Sequence, residues 1–143
     1  MVEVEKEEQF INSRWDEIFE EAFEGLNSKE YRKRQSSALA LSDLMGKREW
    51  PQIKERYREI FLISLALLDD QKDSVKRAAY ELVKSMKRIT LRIGNIYTNS
   101  NTVELEEVLN IVIPMILDEG MKSNMKSVKF FSVDLLFEIL KAS

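Results

Sequence analysis

Apolar residues in this chain recur at alternating three- and four-residue steps, the spacing that puts side chains on one face of an α-helix. The cleanest stripe holds Ile53, Tyr57, Ile60, Phe61, Ser64, Leu67 and Leu68. A second holds Val75, Ala78, Ala79, Leu82, Met86, Ile89 and Ile93. Only 4 glycines and 2 prolines punctuate the chain. Compact β folds usually need more turn residues than that, so the pattern predicts an all-α protein with no strand.

Six helices follow from the stripes and their punctuation. The first covers about 8–24, with Ile11, Trp15, Ile18, Ala22 and Phe23 on one face and Gly25 as its stop. The second begins at an Asn27 or Ser28 cap and runs to Met45, with Ser37, Ala38, Leu41, Leu44 and Met45 inward. The third covers 51–68, opening on Pro51, whose missing N–H costs nothing in a first turn. The fourth covers 73–93. After a polar loop at 95–101, into which Ile96 and Tyr97 are expected to pack back, Asn101 or Thr102 caps the fifth. Leu105, Val108, Leu109, Val112 and Ile116 face inward there, and Pro114 should bend or break its last turn. The sixth covers 125–141. Short connections make consecutive helices antiparallel.

The helices repeat. Lys33-Arg34-Gln35-Ser36-Ser37 aligns with Val75-Lys76-Arg77-Ala78-Ala79 and with Val128-Lys129-Phe130-Phe131-Ser132. A basic residue falls at 34, 76 and 129, a small one at 37, 79 and 132, and an apolar one at 44, 86 and 139. Small residues let stacked helices approach, and the basic residues can reach acids such as Asp70 and Asp118. A period near 40–47 residues is that of HEAT-type helical hairpins. The third copy is displaced by the 95–101 loop. We therefore expect a HEAT-like, armadillo-like α-solenoid: a leading helix at 1–26, hairpins at 27–68 and 69–119, and at 120–143 the first helix of a further repeat. The alternative is a generic six-helix bundle whose register is accidental.

The composition narrows the function. With no Cys, no disulfide framework, zinc cage or thiol nucleophile can form, which fits a reducing intracellular compartment. With no His, histidine-assisted Ser or Cys catalysis is excluded. No apolar run approaches a membrane span, and residues 1–5 do not start a signal peptide. The net charge of −3 is uneven, with nine acids and two bases in residues 1–24. A net-acidic chain is a poor general binder of nucleic acid. We expect no enzyme and no catalytic, cofactor or metal site.

Three segments carry a family resemblance: Tyr31 to Leu44 (YRKRQSSALALSDL), Leu68 to Ala79 (LDDQKDSVKRAA) and Ile113 to Met121 (IPMILDEGM). The middle one alone is generic to HEAT repeats. In their order and spacing, the three resemble the proteasome adaptor and scaffold family, very large HEAT-repeat proteins. The resemblance covers about residues 28–141. It implies a fragment of a much longer, non-catalytic scaffold of the cytoplasm and nucleus. It also implies partners in the proteasome core particle and regulatory cap. Lys33 departs from the usual Val and suggests a more exposed first hairpin. A segment of another HEAT scaffold, such as a nuclear transport receptor or an adaptor-complex subunit, is the other reading.

Candidate sites are surfaces. Arg77, Lys84, Arg88 and Arg92 form a one-sign ridge opposite the apolar stripe of the fourth helix, either a solvated face or a dock for an acidic protein. Lys29, Arg32, Lys33 and Arg34 form a second basic cluster, open to the same two readings. On the sixth helix Phe130, Phe131, Val133, Leu136, Phe137 and Leu140 fall outside the stripe of Val128, Leu135 and Ile139. Of these, Phe130, Val133, Phe137 and Leu140 are our candidate exposed stacking surface, for a neighbouring repeat or a second copy. Ser123-Asn124-Met125-Lys126 has the Ser-x-x-Lys spacing of lysine-assisted serine nucleophiles, but a helix cap explains it. Asp69, Asp70 and Asp73 lack the Gly and Glu of a calcium loop and suit a helix N-terminus. Trp15 should be core. Trp50 should pack against its turn and not stand out as an interface residue.

Overall fold

The computed structural model describes residues 2–141, with side chains described at residue 6 and from residue 14 onward. Its elements are α1 (Val2–Gly25), α2 (Tyr31–Gly46), α3 (Trp50–Leu67), α4 (Asp73–Ile93), α5 (Thr102–Met115), a π-helical turn at Ile116–Gly120, and α6 (Lys126–Lys141). Among the described residues there is no strand.

The helix ends follow local chemistry. Glu49 and Gln52 form a reciprocal capping box ahead of α3, with Pro51 in its first turn. The Asn101 side chain accepts the Glu104 N–H at 3.2 Å and caps α5. Helix α2 starts later than expected. Ser28 accepts the Glu30 N–H at 3.2 Å, so it shapes the turn before the helix and does not cap it. Pro114 removes one donor near the end of α5, and the next turn widens into the π turn.

The helices form two antiparallel layers. One holds α1, α3 and α5, the other α2, α4 and α6. The seam between α2 and α4 is the most extensive contact, followed by α1 on α2 and α3 on α4. The expected hairpins at 27–68 and 69–119 joined the second helix to the third and the fourth to the fifth. The packing differs: α2 makes its main contacts with α1 and α4, not α3, while α4 does touch α5.

Small residues set how closely each hairpin closes. Ser37, Ala79 and Ser132 are all buried. A Cβ on Gly25 would run into the Ser37 hydroxyl, and one on Gly120 into the Ser132 hydroxyl. Both pairs lie twelve residues apart in sequence, so the same crossing recurs where α2 meets the end of α1 and where α6 meets the end of the π turn.

The predicted stripes of α3 and α4 form the core. Ile53, Tyr57, Ile60 and Phe61 meet Val75, Ala79, Leu82 and Met86 in one buried cluster. The Tyr57 hydroxyl donates to the Met86 carbonyl at 2.7 Å and lies 2.6 Å from Thr90 Oγ1, so this buried phenol is hydrogen-bonded. Burial pushes its pKa well above the ordinary value, against the Thr90 hydrogen bond and the Arg92 charge. In α1 the inward face is Trp15, Phe19 and Ala22, with Leu26 buried just past its end; Ile18 is 40% exposed and Ile11 lies outside the described side chains.

Side-chain tips tie the outer layer together. Arg56 of α3 reaches Glu20 of α1 at 3.0 Å, and its guanidinium lies 4.5 Å from the Phe23 ring centre. Lys54 reaches Glu107 of α5 at 3.4 Å, and Arg58 reaches Glu119 at 2.6 Å. Trp50, expected against its turn, is buried and donates its indole N–H to Glu107 at 3.0 Å. That hydrogen bond, helped by Lys54, lowers the Glu107 pKa.

Candidate functional site

The basic ridge occupies the face of α4 turned away from the core. Arg77, Arg88 and Arg92 are exposed and Lys84 is half-buried. The ridge is not of one sign. Glu81 lies within it and holds Lys84 at 2.9 Å, while the Lys84 ammonium also sits 4.9 Å from the Tyr80 ring centre. Sequence reading missed this although Glu81 lies three residues from Lys84, one helical turn along the same face, a spacing that signals the pair. Arg88 donates to Ser85 Oγ at 3.0 Å. Arg77 and Arg92 have no ion-pair partner among the described residues.

In the second basic cluster Arg34 is structural, while Lys29, Arg32 and Lys33 are exposed. Arg34 binds Asp70 and donates to the carbonyls of Ser28 and Lys29 at 2.9 and 3.1 Å. Arg32 donates to the Tyr31 hydroxyl at 3.3 Å. Of the expected acids, Asp70 is therefore held by Arg34, and Asp118 pairs with Lys122 at 4.0 Å. Ser123 Oγ accepts the Met125 N–H at 3.1 Å, which places it in a turn before α6.

On α6, Phe130 is 79% exposed, Phe137 and Leu140 are each 62% exposed, and Val133 is 39% exposed. Phe131 and Leu136 are instead half-buried, and the Phe131 ring lies 6.1 Å from that of Phe61. In the 95–101 loop, Ile96 and Tyr97 are exposed and do not pack back as expected.

Between α4 and α6 opens a groove of about 1050 Å³. Its walls include Arg77, Tyr80 and Lys84 from α4, Lys126 and Phe130 from α6, and Leu39 from α2. Lys87 spans it, with its ammonium 2.9 Å from both Asp134 and Glu138 of α6. The Glu138 hydrogen bond raises the Lys87 pKa, partial burial opposes it, and Asp134 adds to the rise. Sequence reading had placed Lys87 in no site. Its signal was only its partners, 47 and 51 positions away.

Among the described residues no helix is long and apolar enough to cross a membrane. The chain is similar to proteasome adapter and scaffold protein ECM29 of Homo sapiens, at 28% identity over 127 residues, covering 89% of this chain and 7% of that protein. It is also similar to proteasome component ECM29 of Saccharomyces cerevisiae, at 25% identity over 134 residues, covering 93% of this chain and 7% of that protein. The chain is thus a distant homologue of both and spans about 7% of their length. No protein-family model and no solved structure matches it.

Proposed function

We propose, from this distant homology to proteasome scaffolds, that the chain is a non-catalytic segment of a HEAT-repeat scaffold whose partners are proteins of the proteasome. The observation that carries the reading is the extent of the match, 89% and 93% of the chain in two relatives both named for the proteasome. The architecture supports it, because stacked hairpins display extended surface. In this reading the partners are the core particle and regulatory cap, and the protein works in the cytoplasm and nucleus. The hairpins are α1 with α2, α3 with α4, and α5 with α6, and the exposed apolar face of α6 meets a neighbouring hairpin of the full-length chain.

Docking through Arg77, Lys84, Arg88 and Arg92 is electrostatic. Exposed ion pairs contribute roughly 0–1 kcal/mol each, so the set matters more than any member. Association weakens as salt rises. The test is affinity purification of the full-length protein, native and with all four residues changed to Glu, with proteasome subunits quantified by mass spectrometry. Enrichment by the native protein and loss in the variant are expected. Absence of proteasome subunits from the native sample overturns the reading. Retention by the variant moves the docking surface off this ridge.

A further inference from the structure

The repeat register explains why a groove opens between α4 and α6. Tyr80 and Lys84 of α4 occupy the positions held by Ala38 and Ser42 in α2. In α2 these small residues face α4, and the seam closes: Ser42 Oγ lies 2.6 Å from Ser85 Oγ and 3.3 Å from the Glu81 carbonyl. In α4 the same positions carry a phenol ring and a lysine. They hold α6 off, and the two helices touch at few points, bridged by the full reach of Lys87.

The walls of this groove have a definite chemistry. Leu39, Tyr80 and Phe130 offer apolar surface, being 45%, 53% and 79% exposed. The two acids in the walls are already engaged, Glu81 by Lys84 and Asp134 by Lys87. Three cations are left over. Arg77 and Lys126 have no ion pair among the described residues, and Lys76 has only a 4.0 Å approach to Asp73. An excess of positive charge around an apolar slot complements a ligand that is acidic and carries bulky apolar side chains.

We propose that this groove receives an acidic peptide segment of a partner protein, which seats apolar side chains between Tyr80 and Phe130 while its carboxylates meet Lys76, Arg77 and Lys126. The register also separates this site from the stacking face. Phe130 is the counterpart of Arg77, which stays exposed in α4 with α6 in place, whereas Val133 and Phe137 are the counterparts of Tyr80 and Lys84, which face the next helix. The inference deepens the scaffold reading and rests on it only in taking the partner to be a protein.

The test uses the 143-residue chain and a fluorescein-labelled peptide of alternating Glu and Asp interrupted by two Phe and one Leu. Two control peptides replace the acids with Lys, or the Phe and Leu with Ser. Fluorescence anisotropy should show saturable binding of the first peptide only. Arg77→Glu with Lys126→Glu, both on exposed side chains, should weaken it by about tenfold or more, as should Phe130→Ser. Circular dichroism and the melting temperature of each variant should match the parent. Binding unaffected by these variants overturns the proposal. So does equal binding of the Lys or Ser peptide, or equally tight binding of a single-stranded oligonucleotide or of anionic vesicles. If the chain dimerises through Phe130 and excludes the peptide, the occupant is a second copy and the proposal fails. Peptide binding without proteasome co-purification would leave this inference standing and remove the proteasome reading.

Discussion

Arg34 grips Asp70 across 36 positions of chain, with Nε 2.9 Å from Oδ2 and Nη2 3.2 Å from Oδ1. The same guanidinium donates to the Ser28 and Lys29 carbonyls. One side chain therefore joins the turn before α2 to the turn before α4, which orients the first hairpin on the second. Both partners are largely shielded, with side chains 18% and 9% exposed. Two parallel charge-assisted hydrogen bonds in such a place are worth more than a surface pair.

Arg34→Ala should therefore destabilise the chain by about 2 kcal/mol, and Arg34→Lys should recover little, since an ammonium cannot make the paired contact. Desolvation pushes the Asp70 pKa up, but the Arg34 hydrogen bond, the Lys72 backbone N–H and the Arg34 and Lys76 charges together bring it below its ordinary 3.8. A depressed carboxylate stabilises the fold above its ordinary pKa. That contribution is lost as pH falls through the lower folded value. Chemical denaturation from pH 7 down to about pH 2 should show a steeper acid loss in the parent than in Asp70→Asn. Parallel curves would mean the pair contributes nothing.

Gly25 and Ser37 meet at the base of the first hairpin. In an open helix, Gly→Ala gains roughly 1 kcal/mol. Here the added methyl would strike the Ser37 side chain, so Gly25→Ala should instead lose about 1–3 kcal/mol. Combining it with Ser37→Gly should give a double mutant more stable than the sum of the two singles allows. Strict additivity in a urea-denaturation cycle would show that the two residues do not touch.

The exposed face of α6 should make the isolated chain self-associate. Phe137 and Val133 add apolar area that favours burial at about 25 cal/mol per Å². Multi-angle light scattering across a concentration series should show mass above that of the monomer. Phe137→Asp should shift the chain back to monomer with its helical signal kept. A parent that stays monomeric at high concentration counts against the stacking face.

Much of this was legible from spacing. Most of the inward faces of α3 and α4 was read correctly, because long stripes leave one solution to a 3.6-residue period, but the buried Leu65, Val83, Ser85 and Thr90 were left out and Leu68 is only half-buried. Helix α1 was harder. Ile18 and Phe19 stand three and four places from Trp15, both permitted by the period, and only the packing of α1 on its neighbours, chiefly α2, decides that Phe19 goes in. The apolar surface of α6 was legible for Phe130, Val133, Phe137 and Leu140, since one helix cannot hide two faces. Phe131 and Leu136 were misplaced for the same reason in reverse: their shelter comes from elements distant in sequence. The basic clusters were read from charge alone. Periodicity cannot show that Arg34 is spent on a carboxylate 36 positions away, whereas Glu81 and Ser85, each three residues before the ridge residue it meets, were open to reading from the helical spacing. The pairing of α2 with α3 was misread, although α1 does pack on α2 and α4 does touch α5, because short connections say which helices can be antiparallel, not which neighbour a helix packs against most.

The inner seam between α2 and α4 closes on small side chains, while α1 and α3 are tied by the tip of Arg56, 39% exposed, to Glu20, 47% exposed. Those two edges differ in compliance. The inner one is a tight line of contact that resists separation, and the outer one is a flexible strut in water whose length changes at little cost. Torque applied across the first two hairpins would open them like the leaves of a fan, with the α2–α4 seam as the pivot. Added salt, by slackening the strut, would lower the force needed.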